Sequence, residues 1–451
     1  MKINRATKEP ITIIEDIVLN NEQERAVKAT EDKVLVIAGA GSGKTRVITE
    51  RIKYLMNNGV EPNSIIAITF TNMASEEMKA RLRDVPNIGD AFIGTIHSFA
   101  NKIMKASKRQ YTIYNDEIDN RFHKELIDKY CKHLTFDAFL KYKDAQNQVE
   151  LGLLEDYELN SILLPSELAE LLILKGHSSL NDEDNSVYAK DYPENIYTLM
   201  KRYNVVTFNE LLKMATEYFE SINSSIDYLI VDEFQDIGTL EFRFLESLKS
   251  NHTFYVGDDY QSIYGFKGGN VEILLRLINS GQYARYDLST NYRSARKIME
   301  VAQVVIDQVS NKLDKEVVIN SKDEGSVTVM SKANISRVIA DNINKDNIKD
   351  WFILTRTNKE LLEIVEVLED LNIRCVTFKR EGLTSDALRQ LLNNKAVKVL
   401  TVHTSKGLES DNVILYGNFP VKQPRYLRNE EERKVMYVGV TRARKQLIIL
   451  N

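Results

Sequence analysis

The stretch that decides the fold is Val34-Leu35-Val36-Ile37 followed by Ala38-Gly39-Ala40-Gly41-Ser42-Gly43-Lys44-Thr45. Four consecutive apolar residues predict a buried strand, the glycines predict a tight loop, and the next residues predict a helix that Gly59 terminates. This order is the context of a phosphate-binding loop, in which backbone N–H groups and the positive end of the helix dipole face the phosphates. The lysine would reach the β- and γ-phosphates, and the threonine hydroxyl would bind Mg²⁺. The usual pattern has glycine in place of Ala38, and the alternative is a glycine turn with a purely structural role.

A second motif, Asp232-Glu233-Phe234-Gln235-Asp236, directly follows the apolar run Leu229 to Val231. Carboxylates at this end of a parallel strand are expected to lie beside the phosphate loop. Asp232 would hold Mg²⁺ through water, and Glu233 would orient or deprotonate an attacking water. Strands also end in ordinary solvated carboxylates, so this assignment depends on the pairing with Lys44.

Short apolar strands alternate with amphipathic helices before about Gly281, and the alternation restarts after it. The strands are continuously apolar, which indicates parallel sheets that are covered on both faces. The predicted fold class is therefore α/β, with two parallel-sheet domains. The predicted strands of the second block are Val327–Met330, Trp351–Thr355, Arg374–Phe378, Val397–Val402, Asn412–Tyr416 and Leu447–Leu450.

Composition bounds the class of protein without identifying it. The 451 residues carry 60 Lys+Arg and 65 Asp+Glu, for a net charge of −5, and contain two cysteines. No apolar run is long enough for a transmembrane helix, and two cysteines fit a reducing cytoplasm. The charge is uneven, because residues 111–200 carry 18 Asp/Glu and 8 Lys/Arg. This window is predicted to be an acidic, mostly helical insertion, and most of its charges are expected on a solvated face.

Further motifs in order along the chain resemble the UvrD/Rep/PcrA group of superfamily 1 DNA helicases. The segments that carry the resemblance, besides the two motifs above, are Leu19–Gln23, Ile68–Ala74, Gly94–Phe99, Val256–Gly269, Leu288–Ser294, Val402–Glu409 and Tyr437–Arg444. The resemblance implies two RecA-like domains with a helical insertion of the kind called 1B. The implied division is 1–108 and 205–282 for the first RecA-like domain (1A), 109–204 for the 1B-like insertion, and 283–451 for the second RecA-like domain (2A).

The resemblance also implies a site for ATP and Mg²⁺ between the two RecA-like domains. Gln23 would read the adenine edge, Tyr292 and Arg46 would cover the adenine faces, and Glu409 would meet the ribose. The phosphates would lie on Ala38, Gly39, Ala40, Gly41, Ser42, Gly43, Lys44 and Thr45, with Thr45 and Asp232 as metal ligands. The implied catalytic residues are Lys44, Asp232, Glu233, Gln261, Arg293 and Arg442, with Arg293 and Arg442 as arginine fingers.

Single-stranded DNA would be held by stacking, because a motor must tolerate every sequence. The implied DNA contacts are Phe70, Asn72, His97, Tyr264, Phe266 and His403. Phe266 replaces the tryptophan usual in the family and Lys267 the usual arginine, which predicts a weaker grip on DNA. Core packing is the alternative for Phe70.

The larger relatives carry a helical subdomain, called 2B, before the fifth motif. Here only Lys379 to Ala396 separate two predicted strands, which leaves room for one short helix and no 2B subdomain. The resemblance implies an ATP-dependent DNA helicase that moves 3′ to 5′ on single-stranded DNA. The alternatives are a translocase that strips proteins, or a DNA-stimulated ATPase switch that acts with a partner, such as a nuclease or a replication or repair factor, and unwinds poorly alone.

Overall fold

Two six-stranded parallel sheets form the frame of the protein in the computed structural model. The structure describes residues 19–150, 162–164, 166–167, 170–171, 196–265, 268–378, 385–419 and 429–451. The predicted α/β class with parallel sheets is confirmed. Within these ranges no helix is both long and apolar enough to cross a membrane, and Cys131 and Cys375 are free thiols.

The first sheet has the strand order β3-β2-β6-β7-β1-β8. Its strands are β1 (Lys33–Ala38), β2 (Ile65–Thr69), β3 (Phe92–Thr95), β6 (Tyr228–Val231), β7 (His252–Gly257) and β8 (Ala284–Leu288). Alternate residues of β1 enter different cores, since Leu35 and Ile37 pack on one face and Val34 and Val36 on the other. The helices around this sheet are Asn21–Val27, Lys44–Asn57, Asn72–Leu82, Ile96–Ala106, Phe208–Ser221, Thr239–Ser247 and Val271–Asn279. Burial of both faces explains why the central strands β1, β2, β6 and β7 are mostly apolar.

Strand β8 lies at one boundary of the predicted division. It pairs in parallel with β1, from Val34 opposite Ala284 to Ala38 opposite Leu288, so it belongs to the first sheet. The predicted second domain began at residue 283 and included this strand. β8 lies at the sheet edge and is only partly buried, and its Arg285 and Asp287 interrupt the apolar run that marks a central strand. We therefore place the boundary after Leu288.

The second sheet has the order β11-β16-β15-β12-β14-β13. Its strands are β11 (Ser326–Met330), β12 (Trp351–Thr355), β13 (Cys375–Val376), β14 (Val397–Thr401), β15 (Ser410–Tyr416) and β16 (Ala443–Leu450). A separate two-stranded parallel pair consists of β9 (Thr290–Asn291) and β10 (Val318–Ile319). The accompanying helices are Arg296–Ile306, Ile335–Asn342, Asn358–Asp370, Ser385–Asn393, Val402–Ser405 and Asn429–Val440. One core of this sheet also contains Ala40, Met73, Tyr260 and Ile263 from the first half of the chain, so the two halves pack directly together.

The helical insertion leaves and rejoins the first half through a small parallel pair. The pair consists of β4 (Thr112–Ile113) and β5 (Val205–Val206). Between them the described helices are Asp116–Tyr130, Phe136–Glu150 and Ile196–Tyr203. These helices bury a core of their own, centred on Phe122, Leu126 and Leu199, which is distinct from the cores of the sheets.

Candidate active site

The phosphate loop connects β1 to the helix Lys44–Asn57, as the glycine pattern predicts. Gly43 has φ of 86°, in the left-handed region that favours glycine, and the helix begins at the next residue. A Cβ atom on Gly41 would lie 2.7 Å from the Cβ of Arg293, so only glycine lets the second half of the chain approach the loop this closely. The N–H of Gly39 donates to the carbonyl of Leu288 at 3.2 Å and anchors the loop to β8.

A cavity of about 570 Å³ lies against this loop, between the two sheets. It brings together all six predicted catalytic residues, which are Lys44, Asp232, Glu233, Gln261, Arg293 and Arg442. Of the predicted ATP-binding residues, those that line it are Gly41, Ser42, Gly43, Lys44, Thr45, Arg46 and Glu409. Those that do not line it are Gln23, Ala38, Gly39, Ala40 and Tyr292. Tyr292 lines an adjoining groove with Gly41, Gly43 and Glu409.

The two carboxylates after β6 have opposite electrostatic environments. Burial, and then the charge of Glu233, raise the pKa of Asp232 to about 7. Burial opposes ionisation of Glu233 as well, but the charges of Lys44 and Lys406 lower the pKa of Glu233. Glu233 has φ of 51°, a strained value for a residue other than glycine, and its Oε2 accepts a hydrogen bond from the amide of Gln235 at 2.6 Å. Glu233 is therefore the ionised acceptor of the pair, and Asp232 is a carboxylate suited to a cation.

The chemistry of Thr45 and Asp232 fits Mg²⁺. A hydroxyl and a buried carboxylate supply the oxygen ligands that this ion prefers, and Mg²⁺ usually takes its remaining ligands from water and phosphates. Within the part of the chain that the structure describes, no group of three or more His, Cys, Asp or Glu is placed to hold a metal ion.

The two predicted arginine fingers are held differently. The guanidinium of Arg293 donates to Glu409 Oε2 at 2.5 Å, and Arg444 donates to the other oxygen of Glu409 at 2.6 Å. Arg442 is 1% exposed and donates to the carbonyls of Val438 and Leu408 at 2.9 and 3.1 Å. Burial, and then the charge of Arg293, lower the pKa of Arg442 to about 9. Both cations thus face the cavity from the second half of the chain, opposite Lys44.

Lys406 is a site residue to which the sequence analysis gave no role. Its ammonium pairs with the carboxylate of Asp236 and donates to the carbonyl of Gln261 at 2.8 Å. It also lies 4.9 Å from the ring centroid of Tyr264. The signal was present, since Lys406 stands within the Val402–Glu409 motif, but its partner Asp236 is 170 residues away in the sequence.

Gln23 is hydrogen-bonded to the phosphate loop in this structure. It is 2% exposed, its Oε1 accepts the N–H of Asn20 at 3.2 Å, and its amide donates to the carbonyl of Ser42 at 2.9 Å. Tyr292 is 46% exposed, and its hydroxyl accepts from the amide of Asn20 at 2.6 Å. Gln23 and Tyr292 are therefore linked through Asn20, with the tyrosine ring open to the groove.

Three of the predicted DNA residues are neighbours. The rings of Phe70 and Tyr264 stack with centroids 5.2 Å apart and planes at 21°, and the Tyr264 hydroxyl donates to the carbonyl of His403 at 3.3 Å. Burial, and then the charge of Arg356, lower the pKa of His403 to about 4. Phe70 is half-buried, with its ring against that of Tyr264.

The other predicted DNA residues lie apart or outside the described ranges. The ring of His97 contacts Phe208 edge-on at 4.8 Å. Asn72 begins the helix after β2, where its carbonyl accepts from the hydroxyl of Ser75 at 2.6 Å. Phe266 and its neighbour Lys267 lie outside the described residues.

Comparison with known families matches residues 19–282 to the UvrD/REP helicase N-terminal domain. Residues 286–383 and 378–451 match the UvrD-like helicase C-terminal domain. A probable DNA helicase of Mycoplasma pneumoniae is 30% identical, over 96% of this chain and 83% of that protein. A probable DNA helicase II homolog of Mycoplasma capricolum is 30% identical, over 82% of this chain and 54% of the relative. The ATP-dependent DNA helicase PcrA of Staphylococcus aureus is 29% identical, over 79% of this chain and 50% of the relative. The chain thus spans most of the first relative and about half of the other two, and the resemblance drawn from the motifs is confirmed.

Proposed function

The chain belongs to the UvrD/REP family of superfamily 1 DNA helicases, and from that membership we propose that it is an ATP-driven motor that moves 3′ to 5′ along single-stranded DNA. The observation that carries the proposal is the single cavity that Lys44 and Glu233 face from one half of the chain and Arg293 and Arg442 from the other. Such a cavity can hydrolyse a nucleotide only when both halves are in place, which couples chemistry to domain movement.

The charged residues at the cavity and Thr45 have separate tasks in hydrolysis. Glu233 accepts the proton of the attacking water, because it is an ionised carboxylate that lines the cavity. Lys44 and the two arginines oppose the negative charge that develops on the γ-phosphoryl group. Mg²⁺, held by Thr45 and Asp232, would neutralise charge on the β- and γ-phosphates.

A continuous set of contacts supports coupling between this chemistry and DNA. Arg442 reaches Gln261 Oε1 at 3.4 Å, and the carbonyl of Gln261 accepts from Lys406. Lys406 lies beside the ring of Tyr264, which stacks on Phe70. We infer that movement of Arg442 on nucleotide binding is transmitted through Gln261 and Lys406 to the aromatic platform for DNA bases.

The short connection before β14 supports weak unwinding of duplex DNA. The two matched pieces of the C-terminal domain overlap at residues 378–383. The connection between β13 and β14 consists of Lys379 to Ala396 and the two residues that precede them. We propose that no 2B subdomain is present and that a partner protein, such as a nuclease or a repair factor, supplies duplex engagement. We further propose a cytoplasmic location, which the free cysteines and the bacterial origin of the relatives support.

The test of the proposed chemistry compares ATP hydrolysis in four proteins, with and without single-stranded DNA. Lys44→Ala should abolish hydrolysis by removing the cation for the phosphates. Glu233→Gln should keep ATP binding but lose turnover by about 10²–10⁴-fold, because an amide cannot accept the proton. Glu217→Gln, an exposed change on the helix Phe208–Ser221, is the matched control and should behave as the parent. Normal turnover by the Glu233 variant would remove this residue from the role of base.

The test of direction and unwinding uses duplexes with a 3′ tail, a 5′ tail or blunt ends. We expect displacement of a short strand from the 3′-tailed substrate and poor displacement of a long one. Displacement of only the 5′-tailed substrate would reverse the proposed polarity. Efficient unwinding of long duplexes by the isolated protein would show that no partner is needed.

A further inference from the structure

A short segment, residues 309–315, runs between the two halves of the protein, and we name it the strap. The N–H of Ser310 donates to Glu430 Oε1 at 3.0 Å, in a helix of the second half. The N–H of Leu313 donates to Asp259 Oδ2 at 2.8 Å, and its carbonyl accepts the hydroxyl of Tyr260 at 2.7 Å. The strap therefore fixes the Asp258–Gln261 turn of the first half against the second half.

Lys315 ends the strap and points into the phosphate-loop region. Its side chain is 6% exposed, and its Nζ lies 2.6 Å from Asp258 Oδ1 and 2.7 Å from Asp259 Oδ1. The same atom donates to the carbonyl of Ala38 at 3.2 Å and lies 3.7 Å from the ring centroid of Tyr260. Burial opposes its charge, but the two aspartates outweigh burial and raise the pKa of Lys315 well above its usual value. Lys315 is thus the buried counter-ion of two adjacent carboxylates.

Asp258 is shared between Lys315 and the lysine of the phosphate loop. Its Oδ2 lies 3.7 Å from Lys44 Nζ and accepts the amide of Gln261 at 2.6 Å. Asp258 is fully buried, so its negative charge requires a cation nearby. The attraction of Lys44 to Asp258 competes with its attraction to a nucleotide's phosphates, because the three N–H donors of one ammonium are divided between the two acceptors.

We propose that Lys315 is a positioning residue for ATP binding, which neutralises Asp258 so that Lys44 is released to the β- and γ-phosphates. This inference rests on the proposed function, since it takes the phosphate loop as the ATP site. Without Lys315, Lys44 becomes the main counter-ion of the buried Asp258 carboxylate. The phosphates of a nucleotide then compete with Asp258 for the Lys44 ammonium. The nucleotide must then break a stronger Lys44–Asp258 pair before it binds.

The test is equilibrium binding of the Mg²⁺ complex of a non-hydrolysable ATP analogue, AMPPNP, by calorimetry. Lys315→Met should raise Kd about tenfold, within the range usual for coupling between neighbouring sites. Lys315→Arg keeps the charge and should stay within about threefold of the parent. Lys312→Met, on the same strap and paired with the solvent-exposed Asp314, is the matched control and should bind as the parent does.

The decisive variant combines Lys315→Met with Asp258→Asn. Removing the buried charge should release Lys44 again and restore most of the lost affinity, which a merely structural role of Lys315 would not allow. In ATP hydrolysis, Lys315→Met should raise KM with kcat within about threefold of the parent, since Lys315 does not touch the reacting atoms.

The outcomes separate this inference from the proposed function. If the parent does not bind AMPPNP, the ATP site itself is wrong. If the parent binds and Lys315→Met binds equally well, or the double variant binds no better than Lys315→Met, the role of Lys315 is overturned. If Lys315→Met does not fold, Asp258→Asn alone decides. It should bind AMPPNP at least as tightly as the parent, and weaker binding would overturn the inference.

Discussion

Replacing Lys406 by methionine should destabilise the protein in a way that depends on pH. Lys406 and Asp236 are 6% and 0% exposed at their side chains, and Lys406 also donates to the carbonyl of Gln261. Methionine fills a similar volume but leaves the carboxylate buried without its cation. Breaking a buried pair from one side costs about 3–5 kcal/mol, so we expect the free energy of unfolding at pH 8 to fall by about 4 kcal/mol.

The pH dependence identifies the cause of the loss. Burial already raises the pKa of Asp236 to about 6 although Lys406 lowers it, so removing Lys406 raises it further. The folded pKa then lies above the unfolded value, and the folded variant binds a proton that the unfolded chain does not. Stability is therefore recovered as pH falls through the folded pKa, and the deficit should be smaller at pH 5 than at pH 8.

Urea unfolding measures this effect conveniently, because the single tryptophan, Trp351, is buried in the second sheet and its fluorescence reports that sheet. Lys406→Met combined with Asp236→Asn should recover most of the stability, since no charge is left buried. Lys445→Met, an exposed lysine that pairs with Asp411, is the matched control and should leave the midpoint unchanged. A deficit of equal size at pH 5 and pH 8 would refute the reasoning.

Three further outcomes are expected. His403→Gln should reduce the loss of stability as pH falls from 6.5 to about 4. The pKa of His403 is lowered to about 4 in the folded protein, so over this range the histidine binds a proton in the unfolded chain but not in the folded one. An unchanged pH profile of the urea midpoint would contradict this. Trp351→Phe should cost less than about 1.5 kcal/mol by circular dichroism, since its indole N–H has no hydrogen-bond partner among the described residues, whereas Trp351→Ala should cost about 3–5 kcal/mol. Tyr264→Ala should lower DNA-stimulated ATP hydrolysis more than the basal rate, and equal losses would make Tyr264 a core residue only.

The sequence predicts the central strands well because buried strands consist mostly of apolar residues. Trp351–Thr355 has the predicted bounds, since uninterrupted apolar residues are required where both faces of a sheet are covered. The edge strand β8 was not predicted, because its partly exposed face tolerates Arg285 and Asp287. The strand predicted at Arg374–Phe378 is present but shorter, since β13 spans only Cys375–Val376.

Site residues that belong to a sequence motif could be predicted, whereas those that reach the site only through tertiary packing could not. Lys44, Glu233 and Arg293 stand in motifs and meet at one cavity. Lys315 stands in no motif, and its proposed role rests on contact with Asp258, 57 residues earlier. Pairings of this kind depend on how the two halves dock, which one-dimensional patterns do not record.

The parallel pair β4–β5 constrains how the helical insertion can be exchanged. Neighbouring strands lie about 4.8 Å apart, so a foreign module with closely spaced termini could be grafted there without moving the first sheet. Because the pair is parallel, a tight hairpin cannot close it, and any replacement needs a crossover of about a dozen residues or more. The core around Phe122 is separate from the sheet cores, so an exchanged module would have to bring its own core. We therefore expect that the insertion can be exchanged, and that the parallel direction of β4 and β5 sets the minimum length of a replacement.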